Sequence, residues 1–406
     1  MLTRRYFMRA SAIAVAGMGA APSWLVRAAA PGESTRNKIL IAIFQRGAAD
    51  GLNIVVPHFE KRYYELRPTI AIPAPGKNNG AIDLDGRFAL HPALQALKPL
   101  WDSGQLGIIH ACGSPDGNRS HFEAQDSMES GTPGRTTEDG WLNRALPPLT
   151  AETSSVRAVA IGAKMPRTMR GDRGAIAVSD LQQFRVRNDA ATSILESMYA
   201  KADAPLMAAQ GKRTFDALKT IESINRTPYT PAMGTQYFGE FGVGLRQIAR
   251  LIKAGVGVEA AFAEIGGWDH HSNENGQLPP LLTQFGNSLA AFAKDMGDRM
   301  EDIVLVTMSE FGRTAAENGD NGTDHGHGDV MFVLGGPVRG GKVYGKWPGL
   351  EKEQLYEGRD LAVTTDFRAV LGELLTGHLG TKDLAPVFPG FQAPEPMGLL
   401  RNAARV

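Results

Sequence analysis

The chain has 406 residues, with 43 basic against 43 acidic side chains, 43% hydrophobic residues and a single cysteine. That length can bury an ample core without disulfide or metal staples. A formal charge of zero lacks the broad basic surface that nucleic acid requires, and Cys112 alone cannot form an intrachain disulfide.

Thr3-Arg4-Arg5-Tyr6-Phe7-Met8-Arg9 precedes an apolar, small-residue stretch over 10–22. This is the charged n-region and h-region of a signal peptide, too short to cross a bilayer as a stable helix. The paired arginines followed by Phe7 match a twin-arginine (Tat) signal over residues 1–28. Removing it takes Arg4, Arg5, Arg9 and Arg27 and no acid, leaving 39 basic and 43 acidic residues and a net charge of −4. The expectations are a periplasmic or extracellular location, the Tat translocase as partner during export, and no stable transmembrane segment in the mature chain.

Continuous apolar runs at 39–44, 106–110, 156–161, 258–265 and 303–308 predict strands buried on both faces. Helical patterns lie between and after them, at 92–101, 121–129, 192–225, 241–254, 281–300 and 366–377. Such alternation predicts an α/β fold, a mainly parallel sheet sandwiched by helices. Residues 226–238 read as a connector. Residues 29–406 are expected to form one α/β domain with a helical insertion near 192–225.

In open parallel sheets the loops beyond the carboxyl ends of the strands converge and bind ligands. Here those segments are Gln45 to Asn53, Asn118 to Glu123, Gly266 to Ser272, and Ser309 to Arg313 with Gly322 to Gly328. They contain His121, His270, His271, His325 and His327. In extended backbone His325 and His327 project to one side, where two imidazoles can grip a metal; the alternative is a solvated loop. Asp269 and His271 have the same alternate spacing, with a polar turn as the alternative. Asp50, Glu310 and Asp324 add carboxylates, though acids after strands also cap helices. Mixed oxygen and nitrogen donors suit Zn²⁺ or Mn²⁺ better than Mg²⁺ or Ca²⁺. Arg46, Arg119 and Arg313 can hold the oxygens of a tetrahedral anion, or pair with nearby acids.

Ser120-His121-Phe122-Glu123 matches the S-x-x-E capping box, which makes Ser120 a helix N-cap. A helix N-terminus also stabilises phosphate-type anions, and a serine there beside a metal can be a nucleophile. Ser114 is a weaker rival for that role, and Cys112 is expected to be buried.

The motifs Phe44-Gln45-Arg46-Gly47-Ala48-Ala49-Asp50-Gly51-Leu52, Arg119-Ser120-His121-Phe122-Glu123-Ala124-Gln125-Asp126, Gly267-Trp268-Asp269, Ser309-Glu310-Phe311-Gly312-Arg313 and Gly322-Thr323-Asp324-His325-Gly326-His327-Gly328 occur in this order. Together they resemble the bacterial domain of unknown function number 1501, whose members typically carry twin-arginine signals. That family looks like a distant branch of the alkaline-phosphatase and sulfatase superfamily. The resemblance implies an alkaline-phosphatase-like fold, with Asp50 as first metal ligand and Ser120 at the nucleophile position. It also implies Asp269 and His271 as the Asp/His pair, Glu310 as the second acid, and His325 or His327 as the last histidine. The sulfatase C/S-x-P-x-R signature is absent, and Phe311 stands where a histidine is expected unless the Asp324-His325 segment replaces it. The function implied is an exported metal-dependent hydrolase of small anionic phosphate or sulfate esters. The departure at Phe311 supports the alternative, a non-catalytic exported binding or assembly protein that retains the fold.

Overall fold

The computed structural model describes residues 37–135, 137–184 and 205–401. The signal segment 1–28 and residues 192–204 of the expected insertion lie outside them.

Twelve strands are described: β1 (Ile39–Arg46), β2 (Val55–Val56), β3 (Ile82–Asp83), β4 (Ala89–Leu90), β5 (Leu106–Gly113), β6 (Ala158–Ile161), β7 (Ala175–Val178), β8 (Ala260–Gly266), β9 (Ile303–Ser309), β10 (Asp329–Gly335), β11 (Lys342–Tyr344) and β12 (Thr365–Asp366). Nine of them form one sheet in the order β11-β5-β10-β9-β1-β8-β6-β7, with β12 beside the end of β5. Every pairing is parallel except those of β10, which runs antiparallel to both β5 and β9. The small strands β2, β4 and β3 make a separate antiparallel sheet.

The run at 39–44 is apolar throughout because each face of β1 meets its own core. Ile39, Ile41 and Ile43 join one cluster, and Leu40, Ala42 and Phe44 join the other. The first cluster is covered by α2 (Pro205–Arg226), α3 (Gly239–Lys253) and α4 (Glu274–Met296), through residues such as Ile221, Leu245, Phe285 and Phe292. The second is covered by α1 (His121–Ser130) and α5 (Phe367–Leu374), through Met128, Phe367 and Leu371. α4 starts seven residues before the expected 281, running through Pro279 and Pro280. These are its sixth and seventh residues, past the four N–H groups that lack intrahelical partners, so each proline removes one backbone hydrogen bond from the second turn. Residues 92–101 are a 3₁₀ turn, Pro92–Leu97, followed by the short helix Lys98–Asp102. Among the described residues, no helix is long and apolar enough to cross a membrane.

Candidate metal centre

The central strands stop level with one another. Gln45 of β1 pairs with Ser309 of β9, and Arg46 with Gly266 of β8. Just beyond, Ser309 Oγ donates to the Gln45 carbonyl at 2.8 Å and accepts the Ala49 N–H at 3.1 Å. Gly47 N–H donates to Glu310 Oε1 at 2.9 Å. The long excursion between β9 and β10 folds back on itself. Gly312 N–H reaches the His327 carbonyl at 2.9 Å, Gly326 N–H the Gly312 carbonyl at 2.8 Å, and Thr314 N–H the Asp324 carbonyl at 2.9 Å. A Cβ at Gly326 would lie 2.3 Å from the Arg313 carbonyl carbon, and one at Gly322 2.4 Å from that of His271. Gly326 lets the excursion close on itself and Gly322 lets it press against the loop after β8, which together carry His325 to its partners.

The outcome is a convergence on His325. Its Nε2 lies 3.0 Å from His121 Nε2, 3.0 Å from His271 Nε2 and 3.3 Å from Asp269 Oδ1. Asp269 Oδ1 is 3.0 Å from His271 Nε2, and Oδ2 is 3.4 Å from His121 Nε2. Donors around a tetrahedral ion at bond lengths of about 2.0–2.1 Å stand roughly 3.3 Å apart. Among His121, Asp269 and His325 the separations are of that size, while His271 lies to one side, beside Asp269 and His325 but beyond reach of an ion shared with His121.

The far side of each ring explains its orientation. His121 Nδ1 lies 2.8 Å from Glu310 Oε1, His271 Nδ1 3.1 Å from Asp324 Oδ1, and His325 Nδ1 3.0 Å from the Arg119 carbonyl. All three partners accept, so each Nδ1 carries the proton and each Nε2 turns a lone pair inward. The inward nitrogens of His121 and His325 and the Asp269 carboxylate face one another, an arrangement relieved by a proton or a cation between them. The donors therefore fit a divalent metal, and the acceptors behind the rings are the outer shell that metal-bound histidines use.

Electrostatics follow the same pattern. The Glu310 hydrogen bond holds the His121 imidazole above its ordinary pKa, against partial burial. Burial pushes Asp269 up, but the Arg313 hydrogen bond and charge outweigh it and keep its carboxyl below the usual range. Burial lowers His325, and the charge of His121 adds to that. Phe311 packs against the rings of both His121 and His325 at 5.0 Å between centroids, an apolar wall where a further histidine was expected. The centre is half open: the Asp269 and His271 side chains are each 45% exposed, so a small solute can reach it.

Of the residues expected as ligands, Asp269 and His325 meet His121 here, and His271 lies beside them against Asp269 and His325. Glu310 and Asp324 stand one step back, as acceptors behind His121 and His271. Asp50, expected as the first ligand, is instead sealed in an ion pair with Arg67, whose Nη1 and Nη2 reach its two oxygens at 2.5 and 3.0 Å. His327 points away; its Nε2 lies 2.9 Å from the Ser114 carbonyl and its ring packs on Tyr356. Arg46 pairs with Glu264 and Glu129, Arg119 with Asp360 and Glu357, and Arg313 donates to Asp269 at 2.7 Å. Ser120 is the N-cap residue of α1, but its hydroxyl makes no capping bond; Glu123 instead accepts from the Asn118 amide. His121 is a site residue that the sequence does not single out as a ligand; its place at a helix start beside Ser120 is the available signal.

The family described as Protein of unknown function (DUF1501) matches residues 101–384. The chain belongs to this family. No curated protein matches the DUF1501 chain by sequence. Among solved structures, it is similar to the zinc complex of the C-terminal periplasmic domain of EcEptC from Escherichia coli, with 9% identity and a TM-score of 0.35, covering 74% of this chain and 73% of that one. It is also similar to the PsFucS1 sulfatase from Pseudoalteromonas sp., with 12% identity, a TM-score of 0.33 and coverage of 77% and 64%. A third is the alkaline phosphatase from the Antarctic bacterium TAB5, with 11% identity, a TM-score of 0.32 and coverage of 75% and 93%.

Proposed function

We propose that this DUF1501 protein is an exported metal-dependent hydrolase of small phosphate or sulfate esters. The observation that carries the reading is the meeting of His121, Asp269 and His325, from separate segments, at a solvent-reachable rim of the sheet, with His271 beside them. The resemblance of the motifs to the alkaline-phosphatase and sulfatase superfamily supports it, although Asp50 and Glu310 do not take the ligand places it implies. His121, Asp269 and His325 would hold the ion, and their mixed oxygen and nitrogen donors favour Zn²⁺ or Mn²⁺ over Mg²⁺ or Ca²⁺. When bound, such an ion polarises an ester oxygen and lowers the pKa of a hydroxyl or water.

The chain's own groups supply the rest. Glu310, Asp324 and the Arg119 carbonyl keep the imidazole protons on Nδ1, so that Nε2 faces inward. Ser120 directly precedes His121, is exposed, and has no capping bond to occupy its hydroxyl, which leaves it available as nucleophile. The α1 N-terminus favours an anion beside it. Arg46 and Arg119 are committed to carboxylates, so steadying the ester's oxygens falls to that helix end. The twin-arginine motif supports export.

The test is metal content of the mature protein together with turnover of an aryl phosphate and an aryl sulfate. Bound metal and hydrolysis of either ester, abolished in Ser120→Ala, is expected. A folded, metal-free protein inactive on both overturns the reading. Full biological activity in Ser120→Ala favours the non-catalytic binding or assembly role.

A further inference from the structure

We infer that the centre takes one metal ion per chain, and that the Arg313 guanidinium stands where a second ion would otherwise share Asp269. This rests on the metal-centre part of the proposed function and not on its reaction. A carboxylate bridges two ions by turning one oxygen to each. Asp269 Oδ2 faces His121, while Oδ1 faces His271 and His325 and also accepts Arg313 Nη1 at 2.7 Å. With the one ion held by His121, His325 and Asp269 Oδ2, a second divalent ion on Oδ1 beside His271 would meet a fixed positive charge at contact distance, where partial burial makes like-charge repulsion strong.

Arg313 has no room to withdraw. It is 1% exposed, its Nη2 donates to the Thr323 carbonyl at 2.5 Å, and its Nε donates to Thr323 Oγ1 at 3.2 Å. The acids that would complete a second coordination shell are also committed. Both Asp50 oxygens face Arg67, and Glu310 Oε1 already meets Gly47 N–H, Gln125 Nε2 and His121 Nδ1. Asp324 Oδ1 lies against His271 Nδ1 and accepts from Asn318. Several other imidazoles are bonded elsewhere: His110, His327 and His378 to main-chain carbonyls, and His58 to Asp83.

The experiment is titration of the metal-free full-length protein with Co²⁺, counting bound ions by equilibrium dialysis and following the visible absorption of the bound ion. One tight ion per chain is expected, with affinity at least 100-fold weaker in His121→Ala and in His325→Ala. Arg313→Gln, which keeps a donor but drops the charge, is expected to admit a second ion, whereas Arg313→Lys still takes one. Two tight ions in the wild type, or none, overturn the inference. A folded Arg313→Gln protein that binds only one removes the role given to the guanidinium. One ion without ester turnover upholds this inference while sinking the hydrolase reading; two ions with turnover does the reverse.

Discussion

Two clusters of charged side chains lie close together beneath the strand ends, and they are built to opposite ends. In the buried cluster, Arg67 grips both oxygens of Asp50 and donates its remaining N–H groups to the carbonyls of Thr314 and Ala315. Glu274 sits against that pair and accepts from Asn53 at 2.9 Å. Arg67 outweighs burial and holds the Asp50 carboxyl below its ordinary range, while burial and the Asp50 charge push Glu274 well above it. Every charge has its counterpart inside the protein. At the imidazole centre Arg313 answers the Asp269 carboxylate, but the inward nitrogens of His121 and His325 face each other at 3.0 Å. Thr323 links the two, accepting from Arg313 and donating to Glu274. The same residue types make a strut where donors match acceptors and a candidate binding site where they do not.

Removing one partner from the strut has the largest expected effect. Arg67→Ala leaves Asp50 buried and uncompensated, at a cost of about 3–5 kcal/mol, read from urea unfolding of the metal-free chain. At the centre the sign of the comparison changes. His325→Ala leaves metal-free stability within about 1 kcal/mol of wild type, because it removes a repulsive contact along with packing. Its zinc affinity falls at least ~100-fold, about 2.7 kcal/mol, measured by competition with a chelating dye. Glu310→Gln retains the ion but loses roughly 10–100-fold in affinity, as expected for an outer-shell partner. An unchanged affinity there would return Glu310 to a purely packing role.

The smallest expected effect is a pH slope. Glu274 has a raised folded-state pKa, so its contribution is complete below the ordinary glutamate value and is lost as pH rises through the folded value. Metal-free wild type should therefore lose up to about 1.4 kcal/mol per pH unit across that window. Glu274→Gln should lack this slope in denaturant titrations run upward from the ordinary glutamate pKa. A wild type without it would mean that Glu274 is ionised and the strut is balanced differently.

What the sequence made legible follows the same division. The long apolar runs 39–44, 106–110 and 303–308 became β1, β5 and β9, because a strand buried on both faces carries its own signature. The mainly parallel sheet and membership of the DUF1501 family were readable for that reason and from the motif order. Short strands such as β7 and β11 carry too few residues to show a period. Residue type alone does not separate the two clusters: Asp50 and Asp269 both follow a buried strand. What sends Asp50 inward is Arg67, seventeen positions on in a loop with no periodic pattern. His121 was hidden differently, as the second residue of a capping box whose serine makes no cap.

The reversal at β10 has a consequence for how this rim can change. Because β10 returns antiparallel alongside β9, the excursion carrying Arg313 and His325 leaves and re-enters the sheet on adjacent strands. Its base is zipped by the Gly312 to His327 and Thr314 to Asp324 hydrogen bonds, and its tip is tied to both neighbouring loops: Glu317 N–H donates to the Leu66 carbonyl, and the Asn273 and Glu274 N–H groups donate to the Asp320 and Asn321 carbonyls. Asn318 also donates to the His271 carbonyl. An insertion or deletion in the tip would therefore disturb the loop that carries Asp269 and His271, so reshaping this rim without loosening its grip calls for side-chain exchanges rather than changes of length.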